Sequence, residues 1–280
     1  MDSTRSLPER EESLSGNRTW FGRAALTLLV AALVALFLLF VTLPVASLFL
    51  RISPEAFLQS LAEPVVLDAL SLSLATATVS TAIVVVFGTP LALVNARHEY
   101  PGRAIVDTLT DLPIVLPPAV AGIALLMAFG RRGVVGQHLD HLGINIAFTT
   151  AAVILAQVFV ASPFYIRQAR ASFEAVDRLY EDAARTLGAT PATVALRVTI
   201  PLAWGGLVSG AILSFARALG EFGATIMFAG NFQGRTQTMP LAIYTTMQGD
   251  LSAAISLAII LVAISFGVIA SVKIMTRRSF

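Results

Sequence analysis

Six long apolar stretches, at about residues 24–50, 65–94, 105–129, 147–166, 202–229 and 251–272, dominate the chain. A helix needs about 20 mainly apolar residues to cross the hydrocarbon core of a bilayer, and each stretch reaches that length. None alternates apolar with polar residues as an outer-membrane strand does. In lipid every backbone donor and acceptor must be satisfied within the protein, so an all-α polytopic bundle with six transmembrane helices is expected. Charged residues are 13% of the chain, against about 25% in a soluble domain, which excludes an ordinary aqueous globule.

Basic residues orient the bundle. With the N-terminus inside, 14 of the 19 lysines and arginines fall in cytoplasmic segments and 4 in outer loops, while Arg217 lies within a span. This follows the positive-inside rule and puts both termini, the turn at 95–104 and the loop at 170–200 in the cytoplasm. Residues 1–23, rich in Ser, Glu and Arg, read as a solvated, mobile cytoplasmic tail. Residues 24–64 hold the first span and an outer segment, 65–272 the transmembrane core, and 273–280 a second cytoplasmic tail. The first apolar stretch exceeds the 7–15 residues of a signal-peptide core, so it is expected to remain as a helix.

Several chemistries are excluded. Cysteine is absent, which removes disulfides, thiolate metal sites and cysteine nucleophiles. A net charge of +2 is too small to suggest nucleic acid. Lys273 is the only lysine and Ile274 follows it, so no G-x-x-x-x-G-K-[ST] phosphate loop is present. No catalytic residue, resident cofactor or metal is expected on this chain. His138, Asp140 and His141 share an outer loop, but that pattern fits ordinary solvated residues better than a metal site.

Local features mark the spans. Ser53-Pro54-Glu55 predicts a short outer helix with Ser53 as cap. Ser71, Ser73, Thr76, Thr78, Ser80 and Thr81 crowd the second span, where small hydroxylated residues favour close helix packing over substrate contact. Pro101-Gly102 ends a cytoplasmic turn. Pro113, Pro117 and Pro118 interrupt the third span, and broken backbone in lipid must be covered by protein or a water path. The segment therefore faces the bundle interior, either bending a helix or lining a route. Arg217 and Glu221, four residues apart, stand on one helix face in the fifth span. They are either a buried pair that fixes packing or part of a gate.

The loop near 170–201 is a polar island between two spans. Apolar residues at 173, 176, 179, 180, 183, 184 and 187 recur at helical spacing, with Glu174, Asp177, Arg178, Glu181, Asp182 and Arg185 on the other face. Gly188 stands where a helix ends in a left-handed residue. Thr190-Pro191 supplies a cap and first-turn proline for a second short helix, and Pro201 marks the start of the fifth span. By itself, such an elbow fits a connector lying on the membrane as well as a docking element.

Asp182-Ala183-Ala184, then Gly188, then Val198-x-Ile200-Pro201 resembles the EAA loop of ABC importer permeases. The spacing Glu-Ala-Ala, three residues, Gly, nine residues, Ile-x-Leu-Pro is kept, with Asp182 for Glu, Val198 for Ile and Ile200 for Leu. The shorter Asp182 puts any salt bridge at that position in question, and Glu181 beside it is a candidate substitute. The resemblance implies a type I ABC importer permease fold in the cell membrane, with Glu181, Asp182, Ala183, Ala184, Leu187, Gly188 and Pro201 docking an ATPase. Beyond the loop, the run from Arg217-Ala-Leu-Gly-Glu221-Phe-Gly-Ala to Asn231, and Gly234 to Tyr244, resemble permeases of molybdate and tungstate transporters. Sulfate/thiosulfate permeases share the Arg-Ala-x-Gly-Glu-Phe-Gly-Ala core and are the close alternative.

That family implies a permease homodimer, two ABC ATPase subunits carrying ATP-Mg, and an extracytoplasmic oxyanion-binding protein. The anion would cross between the permeases as ATP binding turns them from inward- to outward-facing, with Arg217, Glu221, Pro117 and Pro118 as pathway or gate candidates. A secondary transporter or channel would need midplane acids or paired broken helices in repeats. A membrane-embedded enzyme would need a convergent catalytic set. Neither pattern is present in the sequence.

Overall fold

The computed structural model describes residues 8–277; residues 1–7 and 278–280, parts of the two expected tails, lie outside the described residues. The chain divides into two units, 1–52 and 53–280. The first contains one helix, α1 (Pro8–Leu50). It starts well before residue 24, so the described part of the expected tail is helical rather than irregular. Proline suits a first helical position, where its missing donor is not needed. From Leu26 to Leu50 the helix is long and apolar enough to cross a bilayer.

The second unit runs through α2 (Pro54–Leu61), α3 (Pro64–Arg97), α4 (Arg103–Val115), α5 (Pro118–Phe129), α6 (Gly136–His141) and α7 (Thr150–Glu174). It continues through α8 (Arg178–Thr186), α9 (Pro191–Val194), a π-helical turn (Ala195–Thr199), α10 (Ile200–Leu219), α11 (Gly223–Ala229), α12 (Met239–Thr246) and α13 (Leu251–Arg277). The outer helix α2 begins at Pro54 as predicted, and the Phe57 amide donates to the Ser53 carbonyl at 3.0 Å.

Two expected spans take a different form. The third is a pair, α4 and α5, bent by 117°. Pro113 is carried inside α4, while the break falls at Leu116 and Pro117, both extended, with ψ of 131° and 136°. A residue that precedes proline is pushed out of the α region, and the Pro117-Pro118 pair does this twice. The fifth span ends at Leu219 instead of continuing to residue 229, and its apolar remainder folds as the separate short helix α11. Among the described residues five helices are long and apolar enough to cross a bilayer, six if the bent pair is counted as one span.

The middle helix, α7, packs on α3 and α10 and also meets α4, α5 and α11. Its buried positions include Ala152, Ala156, Ala161 and Ala169, with Tyr165 and Phe173 filling the gaps between helices. Of the six hydroxyls that crowd the second span, Ser73 and Ser80 join helices, while Ser71, Thr76, Thr78 and Thr81 donate back to carbonyls of their own helix. Ser80 donates to Gln157 Oε1 at 3.0 Å and the Ile154 carbonyl at 3.2 Å. Ser73 accepts from the Met239 amide at 2.7 Å. Thr89 pairs with the Tyr165 hydroxyl at 2.6 Å.

The turn after the bend is held by close approach. A Cβ on Gly122 would come within 2.6 Å of Met227 Cβ and 2.7 Å of the Ala224 carbonyl oxygen, and one on Gly223 would collide with Pro118. Only glycine lets α11 lie this close to α5. Overpacking of this kind costs about 1–3 kcal/mol, so Gly122→Val should lower the thermal unfolding midpoint of the purified protein. Gly267→Ala, whose added carbon meets nothing within 4 Å, should leave it unchanged.

Candidate functional site: the cytoplasmic elbow and the proline bend

The elbow is built from three local stops. α7 ends at Glu174, and Asp177 caps α8 by accepting the Leu179 amide at 2.9 Å. The periodicity over 173–187 is therefore divided between two helices, because Asp177 competes for the backbone at the start of α8. At the other end Gly188 takes φ of 85°. Its amide donates to the Arg185 carbonyl at 2.9 Å and the Ala189 amide to that of Ala184 at 3.1 Å, the paired bonds of a Schellman ending. Thr190 then caps α9, accepting the Thr193 amide at 3.3 Å.

The second elbow helix is not separate from the fifth span. Residues 191–219 form one continuous helix through the π turn. Pro201 lies inside it, and does not open the span. Proline lacks a donor and presses its ring on the carbonyl four residues back; the widened turn at Ala195–Thr199 lies where that carbonyl, Arg197's, sits.

Glu181 faces the protein interior. It is 4% exposed, and its Oε1 accepts from Arg97 Nε at 2.9 Å and from the Thr199 hydroxyl at 2.8 Å. A second Arg97 nitrogen lies 2.8 Å from the same oxygen and also donates to the Val176 carbonyl at 3.1 Å. Arg185 approaches Oε2 at 3.7 Å. This corrects the expectation that Glu181 docks a partner or substitutes for Asp182: a carboxylate so enclosed by donors is a joint between α3, α8 and the foot of α10.

One stripe of the exposed surface of α8 is apolar. Leu179 is 71% exposed, Tyr180 60% and Leu187 89%, with Ala183 exposed between them and Ala184 half-buried. Asp182 is exposed and pairs with Arg185 at 3.2 Å. Gly188 and Pro201 are exposed as well.

A polar belt surrounds this end of the bundle. Arg170 bridges Asp107 of α4 at 2.9 Å and Glu174 at 2.8 Å, and Arg167 holds Asp111 at 2.6 Å. Asn95 donates to Asp107 at 2.9 Å and accepts from the Tyr100 hydroxyl at 2.6 Å. Sequence reasoning assigned none of these groups, nor Arg97 and Thr199. The Arg170–Glu174 pair is a local i,i+4 contact, but the Arg97 partner lies 84 residues away and that of Arg167 56 residues away, where no local pattern points to them.

At the far end of α10, Arg217 sits in the last turn and Glu221 in the break before α11, not in an unbroken mid-span helix. They pair at 2.8 Å, with Glu221 almost fully enclosed and Arg217 30% exposed. The other Glu221 oxygen accepts the Ala224 amide at 2.8 Å. Arg217 lines a cavity of about 130 Å³ together with Pro113, Ile114, Pro118, Val160 and Phe164. Pro117 is exposed at the bend outside that lining. In the outer loop Asp140 binds Arg131 at 3.2 Å, and no metal-holding group of three His, Cys, Asp or Glu occurs among the described residues.

Residues 85–279 match the family described as the inner membrane component of binding-protein-dependent transport systems. The chain belongs to that family. It is a multi-pass inner-membrane permease, a subunit of transport machinery and not itself an enzyme. The permease is 46% identical over 230 residues to the molybdenum transport system permease protein ModB of Mycobacterium tuberculosis, covering 81% of this chain and 86% of the relative. Its identity to ModB of Escherichia coli K12 is 42% over 201 residues, 71% and 88% of the two chains. Its fold is that of the type I ABC importer permeases. A bacterial ABC transporter that imports the acidic polysaccharide alginate superposes with a TM-score of 0.73 at 18% identity, over 93% of this chain and 99% of that one.

Removing one partner of a buried ion pair costs about 3–5 kcal/mol. Arg97→Ala should therefore loosen α8, raising hydrogen exchange of amides 178–187 at least ten-fold. Arg178→Ala, on the exposed side of the same helix, should leave that exchange at the wild-type rate.

Proposed function

We propose that this permease forms the translocation pathway of an ATP-driven oxyanion importer, with molybdate or tungstate as the solute. Two copies flank the route, and two ABC ATPase subunits dock on their elbows. An extracytoplasmic binding protein delivers the anion. The ATPases hold the ATP-Mg. Their closure on binding nucleotide turns the permeases from inward- to outward-facing.

The observation that carries this reading is the elbow helix α8, fastened to the bundle through Glu181 while it presents Leu179, Tyr180, Ala183 and Leu187 outward. A row of exposed apolar side chains on an otherwise polar end is the composition of a protein-docking surface. Ala183 keeps its profile low enough to enter a cleft. The sharp bend at half-buried Leu116 and exposed Pro117 supports the paired arrangement. Irregular backbone within a bilayer needs cover from protein or a water-filled route, which a second copy would provide. The choice of solute draws on the relatives named for molybdenum transport and on the Arg217–Tyr244 segment.

Uptake by proteoliposomes containing permease, ATPase and binding protein tests the function. ATP-dependent accumulation of molybdate or tungstate is expected; accumulation of sulfate alone would assign the chain to the sulfate branch, and no uptake of any of them would overturn the reading. Two variants test the elbow. Leu187→Asp should reduce co-purifying ATPase at least ten-fold while the permease stays in the membrane. Gly188→Val forces a branched residue into a left-handed conformation, a strain of about 1–3 kcal/mol. It should preserve membrane levels but leave ATP turnover unresponsive to loaded binding protein.

A further inference from the structure

We propose that Arg217 is an anion-binding group for the transported oxyanion, and that Glu221 is its resident counter-ion, displaced by the anion in the cavity under the α4–α5 bend. The proposal rests on the reading of this chain as an oxyanion permease and adds the side chain that meets the solute.

Three observations carry it. Arg217 is the only charged residue among those lining the cavity, and its neighbours there are apolar. A guanidinium has five donors, yet among the described residues the only partner shown for Arg217 is Glu221, through one nitrogen at 2.8 Å. The remaining donors are available to a ligand with several oxygens, in surroundings where charge-assisted hydrogen bonds are strong. The cavity, about 130 Å³, exceeds the roughly 30 Å³ share of one water several-fold, leaving room for a small polyatomic ion.

Glu221 makes the site self-limiting. It is tied by its second oxygen to the Ala224 amide and is almost entirely buried, so it cannot withdraw when an anion arrives. The pair opens by a swing of the Arg217 side chain. An anion that takes Arg217 leaves a buried carboxylate with only the Ala224 amide as partner, a costly state. Binding is therefore weak, and the original pair re-forms once the anion leaves. A transport route needs this balance, attractive enough to admit the solute and weak enough to release it.

The test is equilibrium binding of radiolabelled molybdate and sulfate to the purified permease–ATPase complex without binding protein. Glu221→Gln keeps an acceptor for the Ala224 amide but removes the competing charge. It should bind both anions at least ten-fold more tightly than wild type, while uptake in proteoliposomes slows because release becomes limiting. The double variant Arg217→Gln/Glu221→Gln should lose the gain. Affinity in Glu221→Gln no higher than wild type would overturn the proposal, as would a gain retained by the double variant.

If Glu221→Gln fails to assemble, the wild-type complex provides the answer through site-resolved arginine labelling with phenylglyoxal. Saturating molybdate should slow modification of Arg217 at least three-fold relative to Arg131; equal rates would overturn the proposal. Both readouts are independent of uptake. Wild-type complex that accumulates no oxyanion would remove the functional reading, whereas uptake without any change at Arg217 would remove only this inference.

Discussion

The close approach of helices around α7 is the constraint on which the rest of the second unit depends. Within a bilayer, lipid tails are as apolar as leucine, so burial alone does not drive helices together, and association relies on packing and interhelical hydrogen bonds. The alanines of α7 bring α3 and α10 to it, and the Ser80–Gln157 and Thr89–Tyr165 bonds hold that approach. The same post carries α5 and α11 at its outer part and Arg167, Arg170 and Glu174 at its cytoplasmic end. One helix thereby fixes the relative positions of the proline bend and the elbow.

Regular α-helical backbone gives way at three places beside the long helices of this unit, each for a chemical reason. Consecutive prolines at 117 and 118 turn the chain through 117°. Gly220 and Glu221 end α10 so that a carboxylate can cap α11. The π turn before Pro201 gives room to a ring that an ordinary helix would reject. In lipid, departures of this sort persist where protein covers them or a route makes them accessible to water.

The apolar segments, the elbow and its family resemblance were legible in the sequence, because length, apolar content and glycine spacing are local properties; the size of the bend in the third segment and the early end of the fifth helix were not. What the sequence left open was which face of the elbow helix turns towards the bundle. On α8 the stripe with Leu179, Tyr180 and Leu187 faces outward, while Glu181 is inside. That orientation depends on Arg97 and Thr199, brought in from other parts of the chain. Local signals also hid three helix boundaries. Asp177 reads equally well as one charge among several on a polar face, Pro201 as a helix start, and Gly220 as one more small residue in a span. In each case capping geometry or a continuous neighbouring helix decided the outcome.

Because the Glu181 carboxylate is bonded at once to Arg97, at the end of α3, and to Thr199, at the foot of α10, α8 has no independent travel. Any load applied to α8 would be shared between two membrane helices that pack on α7 and on each other. If the elbow receives a partner as proposed, it would act as a yoke in place of a hinged paddle, with the Glu181 carboxylate as the shared joint.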